Sequence, residues 1–149
     1  VRGVPAVAYN RQGGLGDVIL HPDYAGNGRI YLSYAEPDDA GRSGAAVARA
    51  RLVLDGEGGG ELTGLEVIWR QSPKVAGEAH YSQRLAFGAD RLLWISSGDR
   101  FLGEPAQDLG TSLGKLVRLR EDGSAPPDNP FASRGGTAAQ AWSLGHRNV

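Results

Sequence analysis

Two stretches of this sequence follow one pattern. Asp17-Val18-Ile19-Leu20-His21-Pro22-Asp23 lines up with Arg84-Leu85-Ala86-Phe87-Gly88-Ala89-Asp90, and the runs that follow, Ile30–Ser33 and Leu93–Ser96, match in kind. A short strand, a turn and a second strand thus recur. A unit of that size cannot bury its apolar face alone, so it must stack against copies of itself. Repeated four-stranded units of short strands are the sequence form of a β-propeller. The 23 glycines and 8 prolines agree, because so many chain breakers favour short strands over long helices.

The strands are expected at Gly14–Leu20, Arg29–Tyr34, Ala45–Leu54, Leu65–Trp69, Gln83–Phe87, Arg91–Ser96, Lys115–Arg120 and Ala139–Leu144. Asn27-Gly28, Asp55-Gly56 and Asp122-Gly123 are the turns between them. The alanines of Ala45–Leu54 also permit a helix. The strand is preferred because Gly44 and Asp55-Gly56 bound the segment tightly. Val4–Ala8 reads as a strand end, Ala106–Ser112 as one helical turn, and Ser124–Gly136 as a long loop. Trp69, Trp94 and Trp142 are expected to pack between repeats. His21, before Pro22-Asp23, is expected at the surface of a turn.

Several function classes find no support. The formal net charge of −1 gives no attraction to nucleic acid or to an anionic membrane. There is no cysteine, hence no disulfide and no thiolate metal site. No apolar run approaches the ~18 residues of a membrane span. Gly13-Gly14 and Gly114-Lys115 lack the context of a phosphate loop, and zinc-protease and serine-hydrolase motifs are missing. The chain opens at Val1 and is expected to be a processed, trimmed or partial product, so the lack of a signal peptide carries no weight.

In a propeller the innermost strands line the axis, and the loops entering them meet at one end. Gln12 precedes one such strand and His80 the next. Arg147 and Asn148 stand where a third would begin. Four polar side chains far apart in sequence are therefore expected around one funnel.

More specific pieces surround these residues. They are Gln12-Gly13-Gly14-Leu15, Pro73-Lys74-Val75, His80 with Arg84-Leu85, Gly98-Asp99, Ala106-Gln107-Asp108-Leu109, Leu113-Gly114-Lys115, Asp128-Asn129-Pro130-Phe131 and Gly145-His146-Arg147-Asn148. In this order, and over essentially the whole chain, they resemble the glucose/sorbosone dehydrogenase family of soluble PQQ-dependent aldose sugar dehydrogenases. The resemblance implies an all-β fold, a six-bladed propeller of which this chain covers somewhat under half. It implies oxidation of the C1 hydroxyl of an aldose to the lactone, with pyrroloquinoline quinone (PQQ) as hydride acceptor, and a periplasmic or secreted location. His80 is then the general base. Arg147 stabilises charge on the quinone, and Asn148 and Gln12 bind cofactor, Gln12 also touching sugar. Asp99 and Arg100, in the loop Asp99–Glu104, form a wall of the sugar pocket. Calcium is the family's second cofactor, its ligands expected beyond Val149.

The partners implied are a sugar and an electron acceptor of unknown identity. Open sheet edges also invite self-association. Ala79 stands where relatives carry Asp or Asn, and Ser82-Gln83 where they carry small residues. These departures keep a rival reading open, a propeller that binds without turnover. Asp99 also has a plainer use, capping its own loop, and His146 is expected to shape the loop that presents Arg147.

Overall fold

Glycine and Asx turns divide the chain into eight strands. In the computed structural model, which describes residues 1–149, these form two four-stranded antiparallel sheets. The first contains β1 (Leu15–Leu20), β2 (Arg29–Pro37), β3 (Ser43–Leu54) and β4 (Gly60–Arg70). The second contains β5 (Ser82–Phe87), β6 (Leu93–Ser97), β7 (Lys115–Leu119) and β8 (Ala141–Leu144). Strands adjacent in sequence are adjacent in each sheet, so short turns suffice. The four-stranded unit implied by the repeat is present twice. Helical structure is limited to α1 (Tyr24–Asn27), α2 (Gly136–Gln140) and two 3-10 turns, Glu104–Gln107 and Ala132–Arg134.

The segment Ala45–Leu54 lies wholly within β3, where Ala45–Arg51 pair with β2 and Leu52–Leu54 with β4. Its bounding turns outweigh the helix propensity of its alanines. Other boundaries differ from expectation. The helical turn begins at Glu104, with Pro105 in its first turn, where proline lacks only a hydrogen bond that has no partner. The last strand starts at Ala141, because Gly136–Gln140 close into α2. Val4–Ala8 is not a strand. The N-terminal segment instead docks through Arg2, whose N–H and C=O bond Gly60 and Leu62 at 2.9 Å.

The two sheets share one core. Tyr31, Ala45, Val47 and Trp69 of the first pack against Leu85, Leu93, Ile95, Val117 and Leu119 of the second. The opposite face of the first sheet holds a separate cluster that includes Ile30, Leu32, Tyr34 and Leu62. Period-2 alternation therefore supplies both faces of β2 with apolar side chains. Only Trp69 among the tryptophans lies between the sheets. Trp94 alternates with Leu93 and Ile95 and so projects from the outer face, where it meets Trp142 edge-on at 5.2 Å.

Strand direction sorts the loops into two ends. The exits of β4, β6 and β8 and the entry to β1 share one end. The turns at His21 and Glu121 lie at the other. His21 is buried there, contrary to its expected place at the surface. Its Nδ1 accepts from the Asp23 N–H (2.9 Å) and from Asn27 Nδ2 (2.8 Å), which leaves Nε2–H to donate to Glu121 (2.7 Å). Tyr31 and Phe87 flank the ring. The Pro-Asp turn folds back over the gap between the sheets, so its histidine becomes a clasp.

Candidate functional site

Backbone geometry at the exit of β6 sets the site. A Cβ on Gly98 would lie 1.8 Å from the His80 carbonyl oxygen. Only glycine lets this loop pass so close beneath His80. The next residue, Asp99, then reaches His80 Nδ1 at 2.8 Å. The His80 N–H donates to Gln12 Oε1 at 2.8 Å, and the Asp99 N–H donates to the Arg147 carbonyl at 2.8 Å. Asn148 Oδ1 accepts from the N–H and hydroxyl of Ser82, at 3.1 and 3.2 Å. Gln12, His80, Asp99, Arg147 and Asn148 are thus tied into one cluster by loops from the two sheets.

The Asp99 carboxylate is buried and also caps the Phe101 N–H at 2.9 Å. The loop cap foreseen for an aspartate here is present, yet its main contact is with the imidazole. A carboxylate against Nδ1 places the ring proton on Nδ1. Nε2 makes no hydrogen bond and is not sealed off from solvent. An imidazole so held has its basic lone pair on the free edge.

Phe101 lies tilted against the His80 ring, with centroids 4.3 Å and planes 38° apart, and the Arg147 guanidinium lies 5.4 Å from the Phe101 centroid. Arg147 enters no ion pair, so its charge is available to a ligand. Beside these groups lies a cleft of about 430 Å³, lined among others by Asp99, Phe101, Leu102, Gln107, His146 and Arg147. Its margin is strained. His80, Ser82, Gln83, Arg100 and Phe101 all have φ between 53° and 70°. For residues with side chains this region is costly, and such outliers gather at functional sites.

Arg100 does not join the cleft. It is 2% exposed, stacks 3.7 Å from the Tyr81 centroid, and its guanidinium donates to the carbonyls of Ser43, Ala79 and Gly77. Burial lowers its pKa. The positive φ at Arg100 turns its side chain inward, away from the pocket wall it was expected to form. His146 does shape the terminal loop, through a 2.8 Å contact between Nε2 and Ser143 Oγ, and it also lines the cleft.

Lys115 supports the opposite wall. Its ammonium donates to the carbonyls of Pro105, Ala106 and Leu113 at 3.0, 3.0 and 2.6 Å, and burial holds its pKa below the usual lysine value. Gly114, at φ 64°, packs so tightly that a Cβ would meet Ala106 and the His146 carbonyl within 2.5 Å. The sequence did not point to Asp99 as the partner of His80, although Gly98-Asp99 leaves a strand at the same end. Phe101 lies in the loop Asp99–Glu104 expected as a pocket wall, but nothing in the sequence singled out its ring as the neighbour of His80.

The glucose/sorbosone dehydrogenase family model matches residues 1–149. The chain belongs to that family. The aldose sugar dehydrogenase YliI of Escherichia coli K12 is 43% identical over 146 residues, which cover 98% of this chain and 38% of YliI. The crystal structure of the soluble aldose sugar dehydrogenase of E. coli in its apo-form matches with a TM-score of 0.90 at 43% identity, over 98% of this chain and 41% of that one. The PQQ-bound aldose sugar dehydrogenase of Streptomyces coelicolor matches with a TM-score of 0.82 at 29% identity, over 99% of this chain and 41% of that one. The two sheets are therefore blades of a propeller-type dehydrogenase fold, and the chain spans about two fifths of the length of these glucose/sorbosone dehydrogenase relatives.

The residues present fit a quinone of the PQQ type in their donor chemistry. Arg147 is unpaired, and Asn148 and Gln12 use their amide oxygens within the protein, which leaves both amide nitrogens to donate. Gln83 Nε2, buried near the entry of β5, has no partner either. No group of three His, Asp or Glu side chains gathers to hold a metal ion.

Proposed function

We propose that the protein is an aldose dehydrogenase that oxidises the C1 hydroxyl of a sugar to the lactone. The observation that carries this reading is the 2.8 Å contact of His80 Nδ1 with Asp99, which leaves Nε2 free, while the unpaired Arg147 lies against Phe101, the ring that packs on the imidazole. A quinone of the PQQ type supplies the hydride acceptor when bound. Arg147, Asn148 and Gln12 would hold it.

The chain's own part is proton transfer and charge balance. His80 Nε2 takes the proton of the C1 hydroxyl as hydride leaves C1, so that oxidation ends at the neutral lactone. An imidazole is suited to this near neutrality. The Asp99 carboxylate offsets the imidazolium that forms and keeps the ring in place. Arg147 sets a positive charge where an acceptor oxygen gains electron density. Phe101 covers one imidazole face and keeps water from it. A calcium ion belongs to the proposal as the family's second cofactor, held by residues outside this cluster.

The test is dye-linked oxidation of glucose and other aldoses by a protein carrying this segment, supplied with PQQ and calcium. His80→Ala is expected to lower kcat by about 100-fold or more while the thermal midpoint stays within a few degrees. Full activity in that variant would refute the assignment. Activity absent from the unmodified protein with every aldose would favour the binding module.

A further inference from the structure

The end of the sheets opposite His80 carries a second groove, of about 420 Å³, whose lining includes Arg29, Arg49, Arg51, Thr63 and Glu66. It continues the inter-sheet face of the first sheet. Tyr31 and Val47, each two residues from an arginine on the same strand, are in the shared core, and residues two apart in a strand share a face. The arginines line the groove at this end of the first sheet.

Arg29 and Arg51 are direct partners in the β2–β3 ladder. Like charges set opposite each other in a sheet repel. Their neutralisation is uneven. Arg49 is committed to Glu66 at 2.8 Å and to the Glu121 carbonyl at 2.9 Å. The Glu121 carboxylate makes its short contact with His21, at 2.7 Å, and stands 3.7 Å from Arg29. Arg51 is exposed and has no carboxylate partner. Two arginines paired across the ladder thus line one groove, one loosely countered by a carboxylate and one not at all.

We propose that this groove is an oxyanion site that takes a phosphate group between Arg29 and Arg51. Guanidinium forks match the edges of a phosphate, and an anion between them turns repulsion into attraction. Thr63, opposite Arg51 in the β3–β4 ladder, lines the same groove, its hydroxyl turned to the Arg51 carbonyl at 3.5 Å. The site is independent of His80 and of the dehydrogenase reading.

The test is titration of the chain with inorganic phosphate at constant ionic strength, with chloride as the reference anion and the arginine side-chain N–H resonances as readout. Saturable shifts at Arg29 and Arg51, with Arg84 and Arg120 unmoved, are expected. Arg51→Gln is expected to weaken binding about tenfold or more, and Arg51→Lys to weaken it less. In phosphate-free, low-salt buffer Arg51→Gln should also raise the thermal midpoint, because it removes the like-charge pair. Co-sedimentation with phosphatidylglycerol vesicles that requires both arginines would identify a lipid phosphate as the source. Binding of inorganic phosphate without vesicle binding would identify a soluble one. Shifts that chloride reproduces, or that survive in Arg51→Gln, overturn the site.

Discussion

At the scale of single residues, the site rests on contacts that admit few alternatives. Asp99 is the sharpest case. Asparagine there would keep an acceptor for the Phe101 N–H but could not offset an imidazolium. Asp99→Asn is expected to lower kcat about 100-fold or more with little change in KM or thermal midpoint, measured by steady-state kinetics beside calorimetry. An equal loss of stability would mark Asp99 as a loop cap alone. Phe101 offers a second test, since an aromatic residue at φ 67° is strained. Phe101→Ala and Phe101→Gly both remove the ring, but only glycine relaxes the backbone. The glycine variant should be the more stable by about 1–2 kcal/mol, and both should lose activity. If the two unfold together, the strain is not there.

Elements carry these residues through groups that the sequence pattern disguises. Lys115–Arg120 alternates basic and apolar residues and reads as a strand with one wet face. In β7 both faces are covered, and Lys115 is 1% exposed. Its ammonium binds the 3-10 turn that walls the cleft, a role visible only once Pro105 and Leu113 are brought to it. Lys115→Met keeps the volume but takes the ammonium from three carbonyls; those of Pro105 and Ala106 keep the Asp108 and Gly145 N–H groups, while the buried Leu113 carbonyl loses its 2.6 Å donor. We expect a loss of about 1–3 kcal/mol, with faster amide exchange through Glu104–Gln107. The far side of the site hangs on Lys74, which leads into the His80 loop. It shares the Glu36 carboxylate with Arg70, at 2.7 and 2.8 Å. Burial raises the pKa of Glu36, but these two cations more than offset it, and the net shift is downward. A carboxyl lowered in the folded state adds stability above its unfolded pKa and loses it as pH falls through the folded value. Glu36→Gln should therefore flatten the acid limb of the stability profile below about pH 4 and change the neutral plateau less steeply with pH. An unchanged acid limb would show the network to be inert.

For the molecule as a whole, the repeat made the paired four-stranded sheets legible, because strand length and turn chemistry are local. So was the convergence of Gln12, His80, Arg147 and Asn148, which follows from where strands of a radial repeat begin. What was not legible depends on a few degrees of φ or on contacts across the sheets. Arg100 was expected in the cleft and turned inward, and His21 was expected outside and closed the gap between sheets. The same cross-sheet contacts should make the two sheets one cooperative unit. Their common core takes Tyr31, Val47 and Trp69 from one and Leu93, Ile95 and Leu119 from the other. His21–Glu121 clasps one end, and Gln71 Nε2, bonded to Ser97 Oγ at 2.8 Å and the Gly98 carbonyl at 2.9 Å, clasps the other. Leu93 is fully buried at the centre of this interface. Leu93→Ala should cost about 2–5 kcal/mol, and native-state hydrogen exchange should show protection falling by the same free energy in β2, β3, β6 and β7. A loss confined to β6 and β7 would mean that each sheet unfolds alone. In that event the Gln12 contact to the His80 backbone, which bridges the two sheets, would open before the Asp99 contact, which lies at the end of the second sheet.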